Sequence, residues 1–283
     1  MNKYFIGWDV GAWHCDKNRN SRDAWFAIGE EGEILSTIPF WGNCKDLILK
    51  HTDIKEFLKA IFEASGLTFS EDDQITIAID TPLGFPVGFR NLLSGEALPA
   101  AEIEKGTGKG YKNNAYLFRA AERFLATHFE LPDKKENGEK KKKFIQPLSA
   151  IQHMIGAQAT KGLHFLKHFN FENDSTGIWK RDNVKAIEVY PATYNRLLSG
   201  YKNPDRILVS RKNHQYQEVP FYKTSEDDIK DAYIAAILSR DFEKFQSPGD
   251  SREVSMFYEP HEALEAVPKE EGWIWALKRS KES

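Results

Sequence analysis

The stretch Ile75-Thr76-Ile77-Ala78-Ile79-Asp80-Thr81-Pro82-Leu83-Gly84 decides how this chain is read. Its first five residues form an apolar run rich in β-branched side chains, which reads as a strand. Asp80 ends the run, and the Pro82-Leu83-Gly84 turn follows at once. A carboxylate is thereby delivered to the end of a strand. The same device occurs at the start of the chain, where Tyr4-Phe5-Ile6-Gly7-Trp8-Asp9 is an aromatic and apolar run closed by an acid. Near the far end, Asp227-Asp228-Ile229-Lys230-Asp231 opens a helix that continues through Ala232, Ile234, Ala235 and Leu238. Acids at two strand ends and at the head of an apolar helix meet only if the fold brings those ends together.

The intervening sequence supplies such a fold. Residues 24–28 and 34–38 flank Gly29-Glu30-Glu31-Gly32-Glu33 as a hairpin, so three strands meander at the start. Residues 45–64 carry apolar side chains at three and four spacing and read as one helix or two. After the Asp80 strand come helices at Tyr116 to Phe129 and about Leu148 to His168. Ala186-Ile187-Glu188-Val189-Tyr190 is a strand, with Pro191 opening a short helix. The last helix spans about Ser225 to Phe242, with Ser225 as N-cap, and residues 271–276 read as a closing edge strand. This order fits an α/β fold with a mixed five-stranded sheet and helices on both faces. That is the RNase H-like architecture: one domain over 1–283, with a helical insertion over about 85–180 between strands four and five.

A chain of 283 residues buries a full core. Its net charge of −3 excludes a generally basic surface, so any nucleic-acid contact must use a local positive patch. Two cysteines, Cys15 and Cys44, form neither a disulfide framework nor a zinc pattern. With no signal-peptide core and no run of roughly 20 apolar residues, the expectation is a soluble, cytoplasmic protein without a membrane partner.

Each acid also has a plain structural explanation. Asp9 and Asp80 suit turns at strand exits, and Asp227 and Asp228 suit a helix N-terminus, where an acid contributes about 0.3–1 kcal/mol. Asp231 is harder to dismiss, because it adjoins the apolar stripe and shares a helix side with Asp228. Carboxylates held about 4 Å apart repel by roughly 4 kcal/mol at an effective dielectric of 20. A divalent cation neutralises that repulsion, and oxygen-only ligands favour Mg2+ or Mn2+. Glu188 is a charge within a strand, near the end where open sheets collect ligands; its plain alternative is an edge position facing water.

In their order along the chain, several segments resemble the domain of unknown function 429 family, a group of predicted nucleases assigned to the RNase H-like fold. They are Gly7-Trp8-Asp9, Ile79 to Gly84, Tyr116-Leu117-Phe118-Arg119-Ala120-Ala121-Glu122, Ile187 to Pro191, Asp228 to Ala232, and Gly272-Trp273-Ile274. The resemblance spans nearly the whole chain and implies that Asp9, Asp80 and Asp231 are the core metal ligands, with Asp228 and Glu188 contributing. The family often has His at the position where this chain has Asp228.

The expected activity is hydrolysis of phosphodiester bonds in DNA or RNA. Two cations about 3.5–4 Å apart would be bridged by Asp9 in an in-line displacement. Arg119 would clamp a phosphate, its plain alternative being an ion pair with Glu122 three residues on. Lys140, Lys141, Lys142 and Lys143 would grip a nucleic-acid backbone, against the alternative of a solvated loop. Two other readings stand beside this one. An actin-like or sugar-kinase-type phosphotransferase would need a Gly-rich phosphate hairpin after the first strand, which Gly11-Ala12-Trp13-His14 does not supply. A non-catalytic nucleic-acid-binding module would keep the acids for structure alone. Gly106-Thr107-Gly108-Lys109-Gly110 lacks the Ser or Thr that a phosphate loop requires after Gly-Lys.

Overall fold

Strand β1 (Lys3–Asp9) is an interior strand of a seven-stranded mixed sheet in the computed structural model. The structure describes residues 1–14, 22–36, 38–129, 134–136, 139–141, 147–197, 206–211, 215–220, 227–246, 257–263 and 265–278. After β1 come β2 (Asp23–Ile28), β3 (Phe40–Gly42), α1 (Lys45–Lys50), α2 (Ile54–Ala64) and β4 (Gln74–Asp80). Then follow α3 (Val87–Leu93), α4 (Ala100–Lys105), α5 (Ala120–His128), β5 (Lys134–Glu136), β6 (Glu139–Lys141), α6 (His153–His168), β7 (Glu172–Ser175) and β8 (Ile178–Arg181). The remainder is β9 (Val184–Glu188), α7 (Pro191–Leu197), β10 (Arg206–Arg211), β11 (Gln215–Pro220) and α8 (Asp227–Gln246).

The sheet order is β3-β2-β1-β4-β9-β8-β7. Strand β2 runs antiparallel to both β1 and β3, and β4 and β9 run parallel to β1. Strand pleating assigns alternate residues to opposite faces. Ile6 and Trp8 of β1, with Ile75, Ile77 and Ile79 of β4, pack with α1, α2 and α6. Phe5 and Ala78 face the other way, into a core built around α8. On that face a Cβ at Gly7 would meet the Ala232 carbonyl oxygen at 1.8 Å and the Ala236 nitrogen at 2.4 Å. Only glycine opposite a run of alanines lets strand and helix approach so closely, and Asp9 and Asp231 stand two and one residues beyond this contact.

The mixed α/β sheet agrees with expectation, but it has seven strands rather than five. The extra pair, β7 and β8, falls at the end of the stretch expected to be helical. The Glu172-Asn173-Asp174-Ser175 strand is mostly exposed and polar, so it lacks the apolar alternation that marks a strand in sequence. Among the described residues of the expected strand at 34–38 there is one bridge, Ile28↔Ile34, and the third strand forms later at Phe40–Gly42. Residues 271–276 do not make an edge strand. Ile274 bridges Glu188, and Trp273, Ile274 and Trp275 are buried. The helix expected from Tyr116 starts at Ala120, where the Glu122 carboxylate accepts from the Arg119 backbone N–H at 2.7 Å. Ser225, the expected N-cap, lies outside the described residues, as does Cys15; Cys44 is a buried free thiol. Gly108–Asn113 forms a 3-10 helix, not a phosphate loop. Among the described residues no helix is long and apolar enough to cross a membrane.

Candidate functional site

Asp9 and Asp80 are register partners at the ends of two adjacent parallel strands. Both continue the strand faces that look towards α8, and both remain partly accessible. Helix α8 crosses β1 at Gly7, which puts its first turns beside them. Asp228 accepts a hydrogen bond from Trp41 Nε1 at 3.3 Å. The acids feel one another strongly. Asp9 is held well above the usual carboxylate range, first by burial and then by the charges of Asp80, Asp228, Asp231 and Asp23. Asp80 is likewise raised, by burial and then by Asp231 and Glu188. Among the described residues, no cation pairs with Asp9 or Asp80, and neither side chain accepts a hydrogen bond.

These donors fit a hard divalent cation, being carboxylate oxygens with a surplus of negative charge. No three His, Cys, Asp or Glu side chains among the described residues stand, as placed, close enough to hold an ion. Binding would mean drawing these carboxylates together as their charge is neutralised.

Glu188 is placed differently. It is buried at the end of β9, and its carboxylate accepts from Arg119 on both oxygens and from Leu83 N at 2.7 Å. Burial pushes its pKa up, while the Arg119 guanidinium opposes the rise. So engaged, it has little capacity left for an ion. It fixes the turn that follows Asp80, which makes it a positioning residue.

Arg119 corrects the phosphate-clamp expectation. Its side chain is fully buried, and its five N–H donors are all committed. Nε donates to Glu122 at 2.7 Å, one terminal nitrogen to Glu188 and the Glu271 carbonyl at 2.8 Å each, and the other to Glu122 and Glu188. Burial alone would lower its pKa, but Glu122 and Glu188 outweigh that and raise it. The plain alternative, a pair with Glu122, is present, though in the interior rather than at the surface. Lys140 and Lys141 lie in β6, opposite Lys135 and Lys134 of β5. Lys142 and Lys143 lie outside the described residues.

Several buried charges escaped the sequence reading. Lys161 on α6 pairs with Asp23 on β2, both fully buried. Lys161 also donates to the carbonyls of Gly11 and Ala12 at 3.1 and 3.2 Å, and Asp23 accepts from Gly11 N at 2.9 Å. The loop after Asp9 is thereby locked between them. Glu271 accepts from Val87 N and Ala120 N, tying the closing segment to α3 and α5. Lys161 had a signal in sequence: it stands four residues before Phe165 and eight before Phe169 on the apolar side of an amphipathic helix.

A hollow of about 180 Å3 opens beside the acids, lined by Asp9, Asp80 and Glu188 together with Pro147, Leu148, Ile155 and Gln158. A larger hollow, about 360 Å3, lies at the opposite ends of the same strands, around Lys3, Gln74 and Lys185. A seven-residue strand separates the two by roughly 20 Å. Lys3 and Lys185 pair there with Glu30 and Glu243, so the larger hollow has no part in the acidic cluster. No family model, curated protein or solved structure matches the chain.

Proposed function

We propose that this protein is a divalent-metal-dependent nuclease that hydrolyses phosphodiester bonds of DNA or RNA. The observation that carries the reading is the register pairing of Asp9 and Asp80 at the ends of adjacent parallel strands, with Asp228 and Asp231 of α8 near enough to raise the Asp9 pKa. Like charges crowd together at a cost that a cation relieves, and perturbed carboxylates in a cleft are the mark of a working site. The order β3-β2-β1-β4-β9, an antiparallel meander followed by two parallel strands, supports an RNase H-like core. The ordered motifs that resemble the domain of unknown function 429 family support the same conclusion.

Asp9 and Asp80 would hold magnesium or manganese, with Asp231 and Asp228 completing the set. Such an ion, when bound, supplies Lewis acidity towards a phosphate oxygen and makes a water more acidic. The other residues keep the ligands in place. Lys161 and Asp23 fix the loop after Asp9, while Glu188, held by Arg119, fixes the turn after Asp80 through Leu83 N. Positioning to fractions of an ångström is what such chemistry demands of its scaffold.

The test is incubation with labelled single-stranded, duplex, hybrid and branched DNA and RNA, with magnesium or manganese. Cleavage that disappears in Asp80→Asn supports the reading. Cleavage of nothing by the wild type, or equal cleavage by the variant, refutes it.

A further inference from the structure

Beside Asp80, the 180 Å3 hollow has a chemistry that metal holding does not use. Its far wall comes from the insertion: Pro147, Leu148, Ile155 and Gln158. Tyr190 and Ile274 face them from the β9 end of the sheet. The wall is thus mostly apolar, with one aromatic ring and one amide. The Gln158 amide makes no hydrogen bond to any described residue, although it can both donate and accept. Thr81, which also lines the hollow, is 4% exposed, and among the described residues its Oγ1 has no hydrogen-bond partner. Buried polar atoms are nearly always satisfied, so an orphan at the wall of a hollow points to a ligand.

Size narrows the ligand. Pockets for drug-sized molecules measure about 300–1,000 Å3, so this one admits a single heterocycle and not a longer segment. Apolar walls, an aromatic ring and a free amide are the means by which proteins seat and read a base removed from its stack. The hollow shares Asp9 and Asp80 with the acidic cluster, so its occupant is covalently close to the reacting phosphate.

We propose that this hollow seats one unpaired nucleobase of the substrate strand, next to the phosphate to be cut. Gln158 reads the edge of the base, and Leu148 and Tyr190 contact its faces. The preferred substrate is then single-stranded or locally unpaired nucleic acid, and the insertion carries the selectivity. This inference rests on the nuclease reading for the identity of the polymer.

The test measures binding and cutting separately. Fluorescence anisotropy is followed on labelled single-stranded hexanucleotides, DNA and RNA, with calcium replacing magnesium. One abasic residue is moved along the strand. Loss of a stacked base at the seated position weakens binding about tenfold or more, and other positions change it little. Gln158→Ala removes the preference among the four bases at that position. Leu148→Ser, at a half-exposed site where folding is insensitive, weakens binding as the abasic residue does. A blunt duplex of the same sequence binds at least tenfold more weakly. The proposal is overturned by equal binding of all abasic strands, by equal binding of the duplex, or by no binding at all. The same strands with magnesium report on cutting. Position-dependent binding without cleavage sinks the nuclease reading and leaves the base pocket standing; cleavage indifferent to the abasic position does the reverse.

Discussion

Lys161 and Asp23, 138 positions apart in the chain, form an ion pair in which both side chains are fully buried. Beneath the loop that leaves Asp9, this pair replaces solvent for two charges at once. Asp23 accepts in addition from Trp8 Nε1, Gly11 N and Cys44 N at 3.0, 2.9 and 2.7 Å, so β1, β2 and the start of α1 converge on one carboxylate. Burial still pushes the Asp23 pKa up against the opposing charge of Lys161.

Removing one member should therefore cost far more than removing both. Lys161→Met leaves Asp23 without its ammonium partner and should lower stability by about 3–5 kcal/mol. Asp23→Asn combined with Lys161→Met should recover a substantial part of that loss. Urea denaturation of the single and double variants measures it. A single variant within about 0.5 kcal/mol of wild type would show that the pair does not support the loop.

Arg119 should behave as a structural cation. Arg119→Met strands Glu122 and Glu188 in the interior and should cost about 3–5 kcal/mol. Arg119→Lys keeps the charge but not the fork, and should also melt earlier, with KM for any cleaved strand unchanged in the folded fraction. Unaltered melting together with a raised KM would restore the phosphate clamp.

Gly7→Ala drives a methyl group into the Ala232 carbonyl and the Ala236 nitrogen. Backbone cannot yield there without moving α8, and overpacking of this kind costs about 1–3 kcal/mol or more. The shift carries Asp228 and Asp231 away from Asp9, so magnesium affinity should fall along with stability. Circular dichroism melts and a magnesium titration on the variant check both. Retention of affinity in a destabilised protein would detach the helix acids from the site.

Asp9 and Asp80 were legible as strand-end residues because each closes a run with strong local periodicity; that they are neighbours follows from the parallel pairing of β1 and β4. The central strands β1, β4 and β9 were legible for the same reason. What sequence concealed depends on contacts between distant segments. Glu188 looks like a ligand until Arg119, 69 positions away, is seen to grip both its oxygens. Arg119 invites a phosphate because nothing local reveals that Glu271 and Glu188 surround it. Among the described strands β7 pairs with β8 alone, and it is largely exposed, so its polar residues gave no alternation to read.

The raised carboxylates predict how the metal-free protein responds to pH. Asp9 and Asp80 keep protons in the fold at pH values where the unfolded chain has released them. The stability this gives is complete below the ordinary Asp pKa and is lost as pH rises through the raised values. In a chelator, melting should therefore fall as pH climbs from about 4 towards neutrality, and Asp80→Asn should flatten the slope. Relief of about 1 kcal/mol at neutral pH would raise the variant's Tm by about 2–4 °C. Identical pH profiles for the two proteins would argue against mutual repulsion at the site.

Isothermal titration of the chelator-stripped protein with magnesium, and then manganese, asks whether the strand-end acids hold an ion. Saturable binding is expected for the wild type and is lost in Asp9→Asn and in Asp80→Asn, with both variants still folded. Absence of binding by the wild type, or binding that both variants retain undiminished, would contradict it.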